Sequence, residues 1–98
     1  MRPRSANEWR TFWRDGGETE LRRVLRETWP PAAEADEEHC AWLGTRIATL
    51  LGSNAPPRAL AAELGRIRVH ELGAAPDPEA DRGAAERLHA WFLEGRVA

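Results

Sequence analysis

Residues 36–73 constrain the fold of this chain most, because they read as two amphipathic helices joined by a proline-containing turn. In residues 36–51, apolar side chains recur at the three- and four-residue spacing that collects them on one face of a helix. A second helix begins at the prolines and runs over residues 56–72, with Gly73 at its C-terminal cap. Two such helices must pack against each other or against further helices. The apolar face of the first is formed by Cys40, Leu43, Gly44, Ile47, Leu50 and Leu51.

The rest of the chain also has a helical pattern, and glycines and prolines separate its segments. Asp77 followed by Pro78 is a strong start signal, because aspartate is a favoured N-cap and proline fits the first helical position. The sequence contains no strand pattern and no repeat. We therefore expect an all-α fold, a small bundle of four main helices with a shorter helix at the N-terminus. The predicted helices cover residues 7–14, 18–28, 36–51, 56–72 and 77–94.

Length and composition favour one small helical domain over residues 1–98, with residues 1–5 expected to be disordered. A hydrophobic fraction of 42% and a charged fraction of 31% are typical of a globular protein. The net charge of -2 argues against a dedicated nucleic-acid binder. No apolar run approaches the roughly 20 residues of a membrane span, and the N-terminus lacks the apolar segment of a signal peptide. A cytoplasmic location is expected.

Few side chains suggest catalysis or metal binding. His39 and Cys40 are neighbours on a helix, so they point about 100° apart and cannot easily act together. Glu86 and His89 form a single E-x-x-H motif, whereas a di-metal bundle needs two. We expect no cofactor and no enzymatic activity, although a metal-dependent enzyme that uses one of the histidines at positions 39, 70 and 89 stays open as an alternative.

Nucleic-acid binding is a second minor alternative. The basic residues Arg22, Arg23 and Arg26 cluster on one predicted helix, and a basic helix can contact phosphates. Glutamates are interleaved with these arginines, so the local net charge is close to zero. Nucleic acid is therefore an unlikely partner.

Trp42 is the residue that the helical pattern does not explain. It lies about 140° from the centre of the apolar face of its helix, and His39 and Arg46 flank it. One interpretation is that the aromatic N-terminal helix covers it, which would form a cluster of Trp9, Trp13 and Trp42. The other is that Trp42 anchors an interface with another molecule, with His39 and Arg46 as the polar rim.

Short motifs between residues 24 and 73 match a pattern of W-D-P at the end of one helix, D-E-Y-x-x-Y at the start of the next, then I-x-x-L-L and L-x-x-I…G. The matching residues are Trp29-Pro30-Pro31, Glu37-Glu38-His39 with Trp42, Ile47 with Leu50-Leu51, and Leu64 with Ile67 and Gly73. In these motifs the chain resembles a group of small bacterial helical proteins of uncharacterised function. The resemblance implies a compact helical fold and supplies no activity. The chain departs from the pattern at Pro30, which replaces the aspartate, and at His39 and Trp42, which replace the two tyrosines.

Size, mild acidity and the lack of a catalytic constellation favour a non-enzymatic module that binds another protein. An immunity-type or accessory protein that caps its partner in a bacterial cytoplasm would fit. Self-association is the main alternative, as a structural homodimer buried through the tryptophan-rich surface. The candidate interface residues are Trp42, His39, Arg46, Trp9 and Trp13.

Overall fold

The computed structural model describes residues 6–94 and, from residue 8 onward, their side chains. Within that range the structure confirms an all-α fold, a small helical bundle without a strand. The disorder expected for residues 1–5 falls outside the described residues, as does the helix stop expected at Gly95. The helices are α1 (Ala6–Phe12), α2 (Glu18–Thr28), α3 (Pro30–Ala33), α4 (Glu37–Gly52), α5 (Pro57–Arg66) and α6 (Pro78–Glu94).

The helix ends follow the expected signals closely. Gly16 has a φ of 116°, which a residue with a side chain rarely adopts, and it interrupts the helical backbone between α1 and α2. At the start of α6, Asp77 Oδ1 accepts a hydrogen bond from the backbone N–H of Ala80 at 3.1 Å. Beyond α5 the chain continues as a π-helical turn, Ile67–Glu71, and Gly73 then adopts a φ of 64°. Five of the last six residues of the predicted fourth helix, Ile67–Glu71, are therefore wound more loosely than an α-helix.

Helix α3 differs from the expectation of a simple stop after α2. Trp29 is extended, with φ -126° and ψ 102°, which is the conformation favoured before a proline. Pro30 and Pro31 then occupy the first two positions of a new helical turn, where their missing N–H groups cost nothing. The prolines thus end one helix and begin another.

One hydrophobic core joins α2, α4, α5 and α6. Helix α2 packs against both α4 and α6, and α5 lies along α6. Burying each of the large aliphatic side chains contributes about 1.5–3 kcal/mol before the entropy of ordering the chain is counted. The fully buried large side chains are Leu21, Leu25, Trp29, Leu43, Ile47, Leu51, Leu60, Leu64, Ile67 and Leu88.

A charged pair is buried within this core, which the sequence pattern did not predict. Asp81 and Arg68 keep only 3% and 10% of their side-chain surfaces exposed. Asp81 Oδ1 accepts hydrogen bonds from Arg68 Nε at 3.0 Å and Nη2 at 2.8 Å. The same oxygen accepts from Trp29 Nε1 at 2.8 Å. This network ties the start of α6 to the turn after α5 and to the junction of α2 and α3.

The N-terminal helix packs on the bundle through its aromatic residues. The ring of Trp9 stacks on Phe12 at 5.5 Å and meets Phe92 of α6 edge-on at 5.1 Å. Trp9 also lies against Gly52, where an added Cβ would come within 2.7 Å of the indole Nε1. Trp13 packs partly buried against the same core. Helix α1 is therefore held by the C-terminal ends of α4 and α6.

The interpretation in which Trp9 and Trp13 cover Trp42 is wrong. Among the described residues, the aromatic and cationic groups that contact the Trp42 ring are His39 and Arg46. Trp9 and Trp13 border a pocket with Thr45, Ala48 and Thr49 of α4, and Trp9 reaches Gly52 at the end of that helix, whereas Trp42 lies in its second turn. Gly52 is ten residues beyond Trp42, a rise of about 15 Å.

Candidate functional site

The candidate site is built on the first three turns of α4. Asp36 caps this helix, and its Oδ1 accepts a hydrogen bond from the backbone N–H of His39 at 2.7 Å. Spacings of three and four residues then place His39, Trp42 and Arg46 along one side of the helix. We call these three residues the Trp42 ridge. Trp42 is the exposed large hydrophobic residue of the described chain, with 39% of its surface accessible.

The Trp42 ring contacts both of its neighbours on the ridge. The His39 ring meets it at 5.5 Å with an interplanar angle of 81°, which is an edge-to-face contact. The guanidinium carbon of Arg46 lies 5.6 Å from the Trp42 ring centroid, within the range of a cation–π interaction. These contacts restrict the rotamers of the indole.

Arg46 is itself fixed by an ion pair that joins α4 to α5. Its Nη2 and Nε donate to Glu63 Oε2 at 2.6 Å and 3.2 Å. Arg66 also donates to Glu63, with Nη2 at 2.9 Å from Oε2. The hydrogen bond from Arg66 lowers the pKa of the Glu63 carboxyl, that from Arg46 lowers it further, and partial burial opposes both. Glu63 therefore stays ionised over a wider pH range and keeps Arg46 in place.

His39 carries a polar atom without a partner. Its Nε2 is buried and forms no hydrogen bond within the part of the chain that is described. A buried nitrogen of this kind costs free energy unless it is hydrogen-bonded.

Two open pockets meet at Asp36 and His39. The first, of about 500 Å³, lies beside the Trp42 ridge, and the second, of about 520 Å³, extends from His39 towards Pro31 and Leu72. Glu71 reaches the first pocket from the π-helical turn after α5, so residues far apart in sequence form its walls. The residues that line the first pocket are Asp36, Glu38, His39, Trp42 and Glu71.

Among the carboxylates of these pockets, Glu71 interacts electrostatically with Arg66 without forming an ion pair. Glu34, Asp36, Glu38 and Glu71 form no ion pair within 4 Å in the described part of the chain. Arg68 lines the second pocket, but its guanidinium is already bound to a buried carboxylate. This side of the molecule is therefore electronegative.

Of the five sequence-predicted site residues, the structure brings together His39, Trp42 and Arg46 and separates them from Trp9 and Trp13. The two N-terminal tryptophans are half-buried against the core near the far end of α4. Their rings lie 6.0 Å apart and form part of an aromatic cluster that includes Phe92.

The other groups considered from the sequence do not converge. Cys40 is fully buried, and its Sγ accepts a hydrogen bond from Arg26 Nε at 3.2 Å. Arg22 and Arg26 both pair with Glu37, and Arg23 pairs with a glutamate of its own helix. Within residues 8–94, no group of three His, Cys, Asp or Glu side chains has the arrangement of a metal site.

Sequence reasoning missed Glu71 as a wall of the site and Asp81 as a core residue. The position of Asp81 did carry a signal. It shares one helical face with Ala84, Ala85 and Leu88, so a charge at that position has to be buried with a partner. Nothing local identifies the partner, because Arg68 belongs to another element.

Comparison with protein-family models, with curated proteins and with solved structures gives no match to this chain. The resemblance to small bacterial helical proteins stays a prediction. Among the described residues, no helix is long and apolar enough to cross a membrane.

Proposed function

We propose that this chain is a non-enzymatic protein-binding module that contacts a partner protein through the Trp42 ridge. The observation that carries the proposal is the exposure of Trp42, 39% of whose surface is accessible although its ring contacts His39 and Arg46. An immunity-type or accessory protein of a bacterial cytoplasm, which caps another protein, is the setting we infer.

The chemistry of the ridge supports this role. Tryptophan and arginine are the residues most often found at the energetic centres of protein interfaces. A side chain that is already ordered loses little rotational entropy on binding, so more of its contact energy appears as affinity. The Trp42 side chain is ordered in this way, because Glu63 fixes Arg46 and Arg46 contacts the indole.

The shape of the neighbouring pockets also favours a macromolecular partner. Small-molecule sites bury most of the surface of their ligand, which requires a concave and largely enclosed cavity. The pocket beside Trp42 is open, and three carboxylates line it. A side chain of a partner protein is anchored by the rest of that protein, so it can bind in an open pocket that would hold a free metabolite only weakly.

A homodimer through the tryptophan-rich surface draws less support. Trp9 and Trp13 are half-buried against the core of their own chain, so they offer less apolar surface than the sequence suggested. Trp42 then stands apart from them on the opposite half of α4.

The proposal predicts that a partner can be captured at position 42. A photo-crosslinking amino acid is introduced in place of Trp42 and, as the matched control, in place of Arg87, an exposed residue of α6. Each variant is irradiated in its native cytosol, and products are identified by mass spectrometry. We expect a distinct protein to be linked from position 42 and not from position 87.

The captured protein is then purified and its affinity is measured. We expect Trp42→Ala to weaken binding at least about tenfold, or 1.4 kcal/mol, and Arg87→Ala to leave it unchanged. Crosslinks only between copies of this chain would establish the homodimer instead. Equal capture from both positions, or none from position 42, would refute the proposed interface.

A further inference from the structure

The acidic groove consists of the two pockets that meet at His39. Its acidic walls are Glu34, Asp36, Glu38 and Glu71, and Arg68, which is paired with Asp81, also lines the second pocket. Four carboxylates without an ion pair in the described chain create a negative potential over this surface. Such a potential attracts cationic groups and repels phosphates. A nucleic acid or an acidic segment is therefore disfavoured at this site.

Trp42 gives the groove a specific position for a cation. The face of an indole attracts guanidinium and ammonium groups, and Arg46 already shows this behaviour at 5.6 Å from the ring. Trp42 and His39 line the pocket and Arg46 does not, so part of the indole borders the pocket beside the His39 ring. A second cation that enters from the pocket would contact Trp42 and lie close to the carboxylates of Glu38 and Glu71.

The length of the groove indicates a peptide segment. The second pocket continues from His39 to an apolar wall that includes Pro31 and Leu72. Asp36 and His39 line both pockets, so an extended segment that crosses this point would place one side chain in each pocket.

Resting on the proposed function, we infer that the partner presents a basic peptide segment to this groove. An arginine or lysine of that segment is seated on Trp42 between the carboxylates of Asp36, Glu38 and Glu71. An apolar residue nearby in the same segment packs against Pro31 and Leu72.

The test uses the full chain and a phage-displayed library of random peptides. The immobilised protein selects peptides, and those retained equally by the Trp42→Ala variant are discarded. We expect the remaining sequences to be enriched in arginine or lysine with an apolar residue close by. An enrichment of acidic or uncharged peptides that depend on Trp42 would overturn the inference and leave the proposed function standing.

The strongest peptide is then synthesised and titrated into isotope-labelled protein, followed by NMR. We expect shifts of the Trp42 indole N–H and of the backbone amides of His39 and Glu71. The double variant Glu38→Gln/Glu71→Gln should bind at least about tenfold more weakly, because two of the carboxylates that face the cation are neutralised.

The matched control is Glu79→Gln/Glu86→Gln, which removes two exposed carboxylates of α6 and should leave the affinity unchanged. Equal weakening by both double variants would show only a general attraction to an acidic protein and would overturn the inference. So would a selection without any peptide that depends on Trp42. The crosslinking at position 42 decides the proposed function independently of these results.

Discussion

Asp81 is the residue on which most of the buried polar chemistry depends. Its Oδ1 accepts three hydrogen bonds from two side chains, and the guanidinium carbon of Arg68 lies 5.6 Å from the Trp29 ring centroid. Its Oδ2 lies 3.3 Å from the position that a Cβ on Gly65 would occupy, so α6 approaches α5 closely here. A buried pair of this kind contributes little net stability compared with an apolar core, but removing one partner leaves an uncompensated charge.

We expect Asp81→Ala to lower the free energy of unfolding by about 3–5 kcal/mol, because Arg68 and the Trp29 N–H would lose their acceptor. Asp81→Asn keeps an acceptor oxygen, and we expect it to cost less. Urea denaturation followed by circular dichroism measures both. Glu86→Ala, an exposed residue of the same helix, is the control and should change stability by less than about 0.5 kcal/mol. If Asp81→Ala lowers the free energy of unfolding no more than this control does, the hydrogen-bond network does not contribute to stability.

At the scale of elements, α1 depends on its docking site more than on its own helical preference. A helix of seven residues is marginal in isolation. It is held because Trp9 lies between Phe92 and Gly52, and the glycine leaves the space that the indole occupies. The docking of α1 on the bundle therefore depends on the orientation of Trp9.

We expect Gly52→Ala to displace Trp9, because the new Cβ would lie 2.7 Å from the indole Nε1 and 2.9 Å from Cδ1. The Trp9 indole N–H resonance should shift, and the amides of α1 should exchange faster with deuterated solvent. Gly83→Ala is the matched control, because no atom lies within 4 Å of its new Cβ. Replacing this helical glycine should stabilise the protein by about 0.5–1 kcal/mol. An unshifted Trp9 resonance in Gly52→Ala would contradict this account of how α1 is held.

At the scale of the whole molecule, charge is distributed unevenly. Arginine–glutamate pairs neutralise the surfaces of α2 and the α4–α5 junction, while the acidic groove keeps its carboxylates. Glu63 is the carboxylate whose pKa the surrounding arginines clearly lower in the folded chain. Its ionised form stabilises the folded state, so the stability of the molecule depends on pH through this group.

The pKa of Glu63 is below its ordinary value of 4.5 in the folded protein. Its contribution is therefore present above about pH 4.5 and is lost as the pH falls through the lower, folded value. We expect Glu63→Gln to reduce the free energy of unfolding by about 0.5–1 kcal/mol at pH 7 and to flatten the decline of stability below pH 4.5. Urea titrations between pH 3 and pH 7 measure this. Arg58→Gln, which removes an exposed charge, is the control. If stability declines below pH 4.5 as steeply in Glu63→Gln as in the unchanged protein, another group determines the stability in acid.

The ends of the elements could be predicted from the sequence with good accuracy. Asp77-Pro78, Gly16 and the prolines at positions 56 and 57 act within a few residues, so their effect on the backbone is local. Helical periodicity also placed Trp42 away from the apolar face, but whether α1 covers it could not be read from the sequence. Helix α3 was not predicted, because proline can both end a helix and begin one.

Local sequence patterns predicted the helices other than α3, their apolar faces and the order of His39, Trp42 and Arg46 along α4. The packing of the helices against one another placed Trp9 and Trp13 elsewhere, brought Asp81 to Arg68 and Trp29, and completed the groove beside Trp42 with Glu71. These two kinds of interaction differ in range. Periodicity and capping act over one or two turns of a single helix, whereas these meetings depend on how separate helices pack to exclude water. The Trp42 ridge could be read from one helix, but its acidic walls exist only because three elements converge there.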